Sequence, residues 1–218
     1  MTFDQIPFQE ISSAAIWIPL ILAGLKLETG DLKVRLFFLF LLFGAGIDAF
    51  GWIINMTTED FRVHSFFQMV YLFYEMIFFV WLCTGFLKTI NQVKIKRVLC
   101  LIFFVFFLIR LSILIFGDYN PYERILVLYV FDAVCLVTIS FLSAFALLHL
   151  AEEMGDSLMS FPWFWILSGI FFYSFGTFFI DLLASTNIVG AVWRLRNVVN
   201  VIQYGFFVVG LLRMRNDQ

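Results

Sequence analysis

Four polar residues on one helical face could do chemistry inside a membrane. His64, Gln68, Tyr71 and Glu75 are spaced +4, +3 and +4 at the start of a long apolar segment, Phe66 to Phe86. At 100° per residue they share an arc of about 60° and form one polar stripe. Glu75 lies about 16 Å along the axis from His64, near the middle of a bilayer core. A carboxyl group at that depth must be neutral, paired or hydrated, so something has to face it. The chemistry within reach of such groups is proton transfer, binding of a polar or charged ligand, or interhelical ion pairing.

The elements that must position this stripe are membrane helices. Hydrophobic residues make up 62% of the 218-residue chain, charged residues only 14%, and there are 31 phenylalanines. That composition lies far from the soluble norm. Seven apolar runs have the roughly 20 residues needed to cross a bilayer: Phe8–Lys26, Lys33–Ile54, Val63–Phe86, Lys96–Phe116, Arg124–His149, Phe161–Ala184 and Ala191–Arg213. The expected architecture is all-α: a single seven-helix transmembrane domain over residues 1–218, multi-pass, with no inserted soluble domain. Met1–Glu10 has no basic residue and hence no signal-peptide n-region, so the first apolar run is expected to be retained. Pro19 should kink the first span, Pro121 begins a turn, and Pro162 fits the first turn of the sixth span.

Basic residues set the orientation. Lys26, Lys33, Arg35, Lys88, Lys94, Lys96, Arg97, Arg213 and Arg215 fall on one side, and Arg62, Arg124, Arg194 and Arg196 on the other. The first side is expected to be cytoplasmic, with the N-terminus outside, the C-terminus inside, and the chain in the cell's inner (cytoplasmic) membrane. Asp48, Arg110, Asp132, Asp181, Arg196, Asn197 and Asn200 then fall in the outer half of their spans, with Glu75 near the middle.

The seventh span carries its own stripe: Trp193, Arg196, Asn197, Asn200, Gln203 and Tyr204. Gly169, Tyr173 and Gly176 give the sixth a small-residue face that permits close helix approach. One reading is a polar ligand pocket in the outer leaflet half, formed by Asp48, His64, Gln68, Tyr71, Glu75, Arg110, Asp132, Arg196, Asn197, Asn200 and Tyr204. The other is structural glue, with pairs such as Glu75–Arg110 and Asp132–Arg196. Asp181 could simply be solvated at the surface. A shift of 133 residues lays Asp48 on Asp181, His64 on Asn197 and Tyr71 on Tyr204. It suggests a parallel three-plus-one-plus-three repeat of the kind found in small transporters. Chance similarity between aromatic-rich helices is the simpler account.

Several chemistries lack their residues. All five lysines fall at cytoplasmic ends, leaving none for a retinal Schiff base. The two histidines lie at opposite faces, which gives neither an intramembrane zinc site nor a base for a serine nucleophile. Gly44–Asp48 with Asp132 does not match the glycine spacing of an intramembrane aspartyl protease. Cys83, Cys100 and Cys135 fall inside spans and read as reduced packing residues. No cofactor, metal, enzymatic or nucleic-acid motif is present in the sequence.

Three segments carry a resemblance. Tyr71-Leu-Phe-Tyr-Glu75, the run Phe164-Trp165 followed by Gly169, Tyr173 and Gly176, and Trp193 followed by Asn197 and Asn200 resemble the third, sixth and seventh spans of a group of uncharacterised small seven-helix bacterial membrane proteins. Asp48 stands where that group is expected to have a glutamate, and Arg196-Asn197 where a histidine-containing pair is expected. Some members accompany or are fused to sensor kinases. The resemblance therefore implies a non-enzymatic sensory or signalling module that receives a small-molecule ligand and passes its signal to a membrane or cytoplasmic partner. A small transporter and a structural membrane subunit are the alternatives.

Overall fold

The computed structural model describes residues 7–57, 61–87, 91–116, 121–184 and 189–214, and among them every regular element is helical. The helices are α1 (Phe8–Ala15), α2 (Trp17–Leu25), α3 (Leu32–Thr57), α4 (Phe61–Thr84), α5 (Gln92–Phe116), α6 (Pro121–Met154), α7 (Pro162–Ala184) and α8 (Val189–Arg213). With α1 and α2 taken together, seven helical segments among the described residues are long and apolar enough to cross a membrane.

The breaks between elements follow local chemistry. Proline has no N–H to bond the carbonyl four residues back, and its ring crowds that carbonyl. The first span accordingly divides at Ile16, three residues before Pro19, and the Leu20 N–H resumes the ladder on the Ile16 carbonyl at 3.2 Å. Pro162 is the first helical residue of α7, as its spacing predicts. Pro121 is the first residue of α6 rather than of a turn. At a helix start the missing donor costs nothing, and the fixed φ is already helical. The Asp31 carboxylate accepts the Lys33 N–H at 2.9 Å and caps α3. Gly30, at φ +71°, makes the turn before it.

Six spans close into a ring. The helices α3, α4, α6, α7 and α8 pack in that order around the interior, and α1–α2 joins α8 back to α3. The closest pair is α7–α8, where glycines remove the side chains between the backbones. A Cβ on Gly169 would stand 2.9 Å from Phe206 Cβ, and one on Gly210 would stand 2.9 Å from the Pro162 carbonyl oxygen. The α5 helix stands outside the ring against α4, with little contact to α6. Only 6% of its apolar stretch is buried, against 44% for α4 and 50% for α7.

The interior changes character along the bundle. Toward the start of α3 and the end of α4 it is aromatic and aliphatic. Phe40 stacks on Phe78 with ring centroids 4.5 Å apart, and Phe37 meets Phe207 edge-on at 5.0 Å. Phe37, Phe79, Phe207, Ile166, Leu167, Ile170 and Leu211 are all fully buried here. The bundle end next to this core is basic. Lys33 lies 4.1 Å over the Phe86 ring, and Lys26 Nζ donates to the Met214 carbonyl at 2.6 Å. Arg213 bonds the Met159 carbonyl and covers Trp165. The polar residues lie in the other half.

Candidate functional site

The site is assembled around Glu75, which α4 carries into the ring. Its side chain is 3% exposed. The Tyr173 hydroxyl of α7 donates to its Oε2 at 3.3 Å, and the Tyr71 hydroxyl, one turn back on α4, lies close by. Gly44 of α3 makes room for that ring. A Cβ there would meet the Tyr71 hydroxyl at 3.2 Å and Ile16 Cδ1 at 3.0 Å. No arginine, lysine or histidine nitrogen stands within ion-pair reach of Glu75 among the described residues.

Arg196 of α8 is the hub beside it. Its guanidinium stands 3.9 Å from Asp181 Oδ1 and near enough to Tyr173 and Glu75 to act on both electrostatically. A line of polar groups therefore runs from Asp181 past Arg196 and Tyr173 to Glu75. Arg110 and Asp132 form a second, direct ion pair between α5 and α6, close enough to Arg196 for that charge to act on Asp132. Asp48 is exposed on α3 and near enough to Tyr71, Tyr204 and Glu75 to act on them electrostatically. Among the described residues, the carboxyl groups of Asp48, Glu75, Asp132 and Asp181 thus lie near the Arg110 and Arg196 guanidiniums.

Two amides approach the cluster from α8 with capacity to spare. Asn200 Oδ1 and Gln203 Nε2 are buried and have no hydrogen-bond partner among the described residues. On α7 the same holds for Ser174 Oγ and Thr177 Oγ1. Each unsatisfied group of this kind costs about 1–3 kcal/mol in a dry interior. A small polar ligand or water would recover that cost. Beside this network, Met69, Phe73, Phe103, Phe107 and Phe131 line a narrow cleft between α4, α5 and α6, with the Arg110–Asp132 pair at its wall.

The expected pairings are redistributed. Arg110 bonds Asp132 rather than Glu75, and Arg196 stands next to Asp181 as well as near Asp132. The reason is rotation about the α4 axis. The residues of α4 that face α5 are Met69, Leu72, Phe73 and Met76, centred about 110° from Glu75. Glu75 points to α7 and α8, away from Arg110. Gln68 is exposed and stands apart from the cluster. It lies at the edge of the stripe, about 20° further round than Glu75, and two turns before it. Asn197 and Tyr204 are half-buried, and Tyr204 packs on Phe207 at 6.3 Å. The side chains of His64 and Trp193 lie outside the described residues.

Tyr173 and Asp181 are central here but were not among the expected ligand-binding residues. Asp181 is 7% exposed, not solvated at a surface. The available signal was a polar face on the sixth span. Tyr173, Ser174, Thr177 and Asp181 lie within about 100° of arc, beside the glycines that draw attention on the same helix. Among the described residues, no three His, Cys, Asp or Glu side chains gather as a metal site. No protein-family model matches the chain, and no curated protein or solved structure does either, so the geometry alone carries the functional argument.

Proposed function

We propose that the chain is a non-enzymatic, receptor-like module of the inner membrane, with its N-terminus outside and its C-terminus cytoplasmic. A proton or a small cationic ligand entering the polar half would be the input. Glu75 is the responding group, and a partner protein at the basic end reads the change. The carrying observation is the polar cluster's composition and dead end. Among the described residues, four carboxyl groups lie near two guanidiniums, while the interior beyond them is filled by Phe37, Phe79 and Phe207. An acid-rich site of this kind attracts positive charge, and its closed floor favours binding over passage. The floor weighs against the transporter reading. Neutralising or pairing Glu75 would alter its bond to Tyr173 and, through it, the position of Arg196. Packed α4, α7 and α8 are elements such a change can bias.

The direct ion pairs Arg110–Asp132 and Asp181–Arg196 favour a second reading, a structural membrane subunit whose polar groups serve only as glue. Backbone hydrogen exchange of the protein in lipid nanodiscs, titrated from mildly acidic to mildly alkaline, separates the two. The receptor reading expects protection of the segments around Tyr71 and Asn200 to change with pH, after correction for intrinsic exchange. It expects Glu75→Gln to abolish that change while folding normally. An identical profile in wild type and Glu75→Gln contradicts it.

A further inference from the structure

The basic end carries a second site, independent of the polar cluster. A cavity of about 150 Å³ opens there between α3, α4 and α5, lined among others by Lys33, Trp81, Thr84, Gln92 and Lys96. Both lysines are half-buried, and neither ammonium has a carboxylate within 4 Å among the described residues. Asp31 is the near acid, and its carboxylate is engaged by the Lys33 backbone N–H. Aromatic faces take the place of a counter-ion. Lys33 lies 4.1 Å over Phe86 and 5.9 Å from the Trp163 ring, and Lys96 lies 5.9 Å from the Trp81 ring. Two partly desolvated cations on one cavity call for an anion. Below the cavity the i+4 ridge of α5 that starts at Lys96 continues through Cys100 to Phe104 and Leu108, both exposed apolar side chains.

A headgroup seated between the lysines would therefore lay its acyl chains along α5. We propose that this cavity binds the phosphate of an anionic phospholipid, with Lys33 and Lys96 as its ligands and the bare face of α5 as the chain track. A lipid fits better than a soluble phosphate because the anion site is continuous with a surface only hydrocarbon can cover.

The test is native mass spectrometry of the full chain, delipidated and then offered phosphatidylglycerol or phosphatidylcholine of matched chains. Wild type should retain phosphatidylglycerol selectively. The double variant Lys33→Gln with Lys96→Gln should retain roughly thirtyfold less. Lys96→Gln alone should be intermediate, and the double arginine variant Lys33→Arg with Lys96→Arg should restore binding. This rescue separates loss of the site from loss of fold. Neutralising the exposed Lys94 and Arg97 should change retention little. Equal retention of both lipids, an equal loss on neutralising Lys94 and Arg97, or displacement of the lipid by inorganic phosphate would overturn the proposal.

Discussion

Around the second and third turns of α3, Phe37, Phe40, Phe78, Phe79 and Phe207 fill the ring with stacked and edge-on aromatics. A few turns further along the same helices, Glu75, Tyr173, Arg196, Asp181 and Asn200 occupy the interior instead. The two regions share their scaffold, so the contrast is one of side-chain chemistry. In lipid, an aromatic interior gains nothing from leaving water and is held by close packing. It can be complete in itself. A polar interior gives up solvation and must recover it in hydrogen bonds and pairing. Among the described residues it recovers only part, because Glu75 is held by the Tyr173 hydroxyl rather than a cation, and Asn200 and Gln203 keep unused capacity. The aromatic half is finished as a structure; the polar half keeps hydrogen-bonding capacity to spare.

Removing the hub should break this contrast most severely. Arg196→Ala leaves Asp181 and Tyr173 without their shared partner and should cost about 3–5 kcal/mol. The expected result is sharply lower folded yield by size-exclusion chromatography, with Arg196→Lys recovering part of it. Phe37→Ala opens a cavity in the aromatic half and should cost about 3 kcal/mol in thermal-unfolding assays. It should leave the pH response of the polar half in place. A Phe37→Ala protein that folds but has lost that response would mean the two regions are not separable.

A smaller effect sharpens the comparison at one residue. Gly44→Ala presses on the Tyr71 hydroxyl, so it should shift the pH response while costing roughly 1–2 kcal/mol. On α8, Gly205 has open space where a Cβ would stand and Gly210 does not. Gly205→Ala should be neutral or slightly stabilising by about 0.5 kcal/mol, whereas Gly210→Ala should cost about 1–3 kcal/mol. Substitutions on the outer face of α5, such as Leu101→Ala, should fall within about 0.5 kcal/mol in the same assay.

Much of this was readable in the chain. The spans follow from apolar length, and α7 begins at Pro162 for a stated steric reason. Glu75 is conspicuous as an acid in mid-span, and the small face of Gly169 and Gly176 foretells the close α7–α8 approach. What the sequence withheld is rotation and neighbourhood. Helical periodicity places Tyr71 and Glu75 on one face but does not say which helix that face meets. Depth and charge alone thus pair Arg110 with Glu75, although α5 packs on a different side of α4. The polar face of α7 marks Asp181 as inward-facing, but its burial depends on Arg196 arriving from another helix, which that face does not identify. Gln68 follows the stripe's spacing yet is exposed, because the ring does not cover that edge of α4.

Substituted-cysteine accessibility tests the central claim most directly. Cys83, Cys100 and Cys135 are replaced, single cysteines are placed at Asp48, Asn200 and Phe207, and a membrane-impermeant thiol reagent is applied from each side in turn. The account predicts labelling at Asp48 and Asn200 from the side opposite the basic end only, and none at Phe207 from either side. Labelling of Asn200 from both sides, or protection of both Asp48 and Asn200 from either, would contradict a polar half that is open on one side and closed by an aromatic floor.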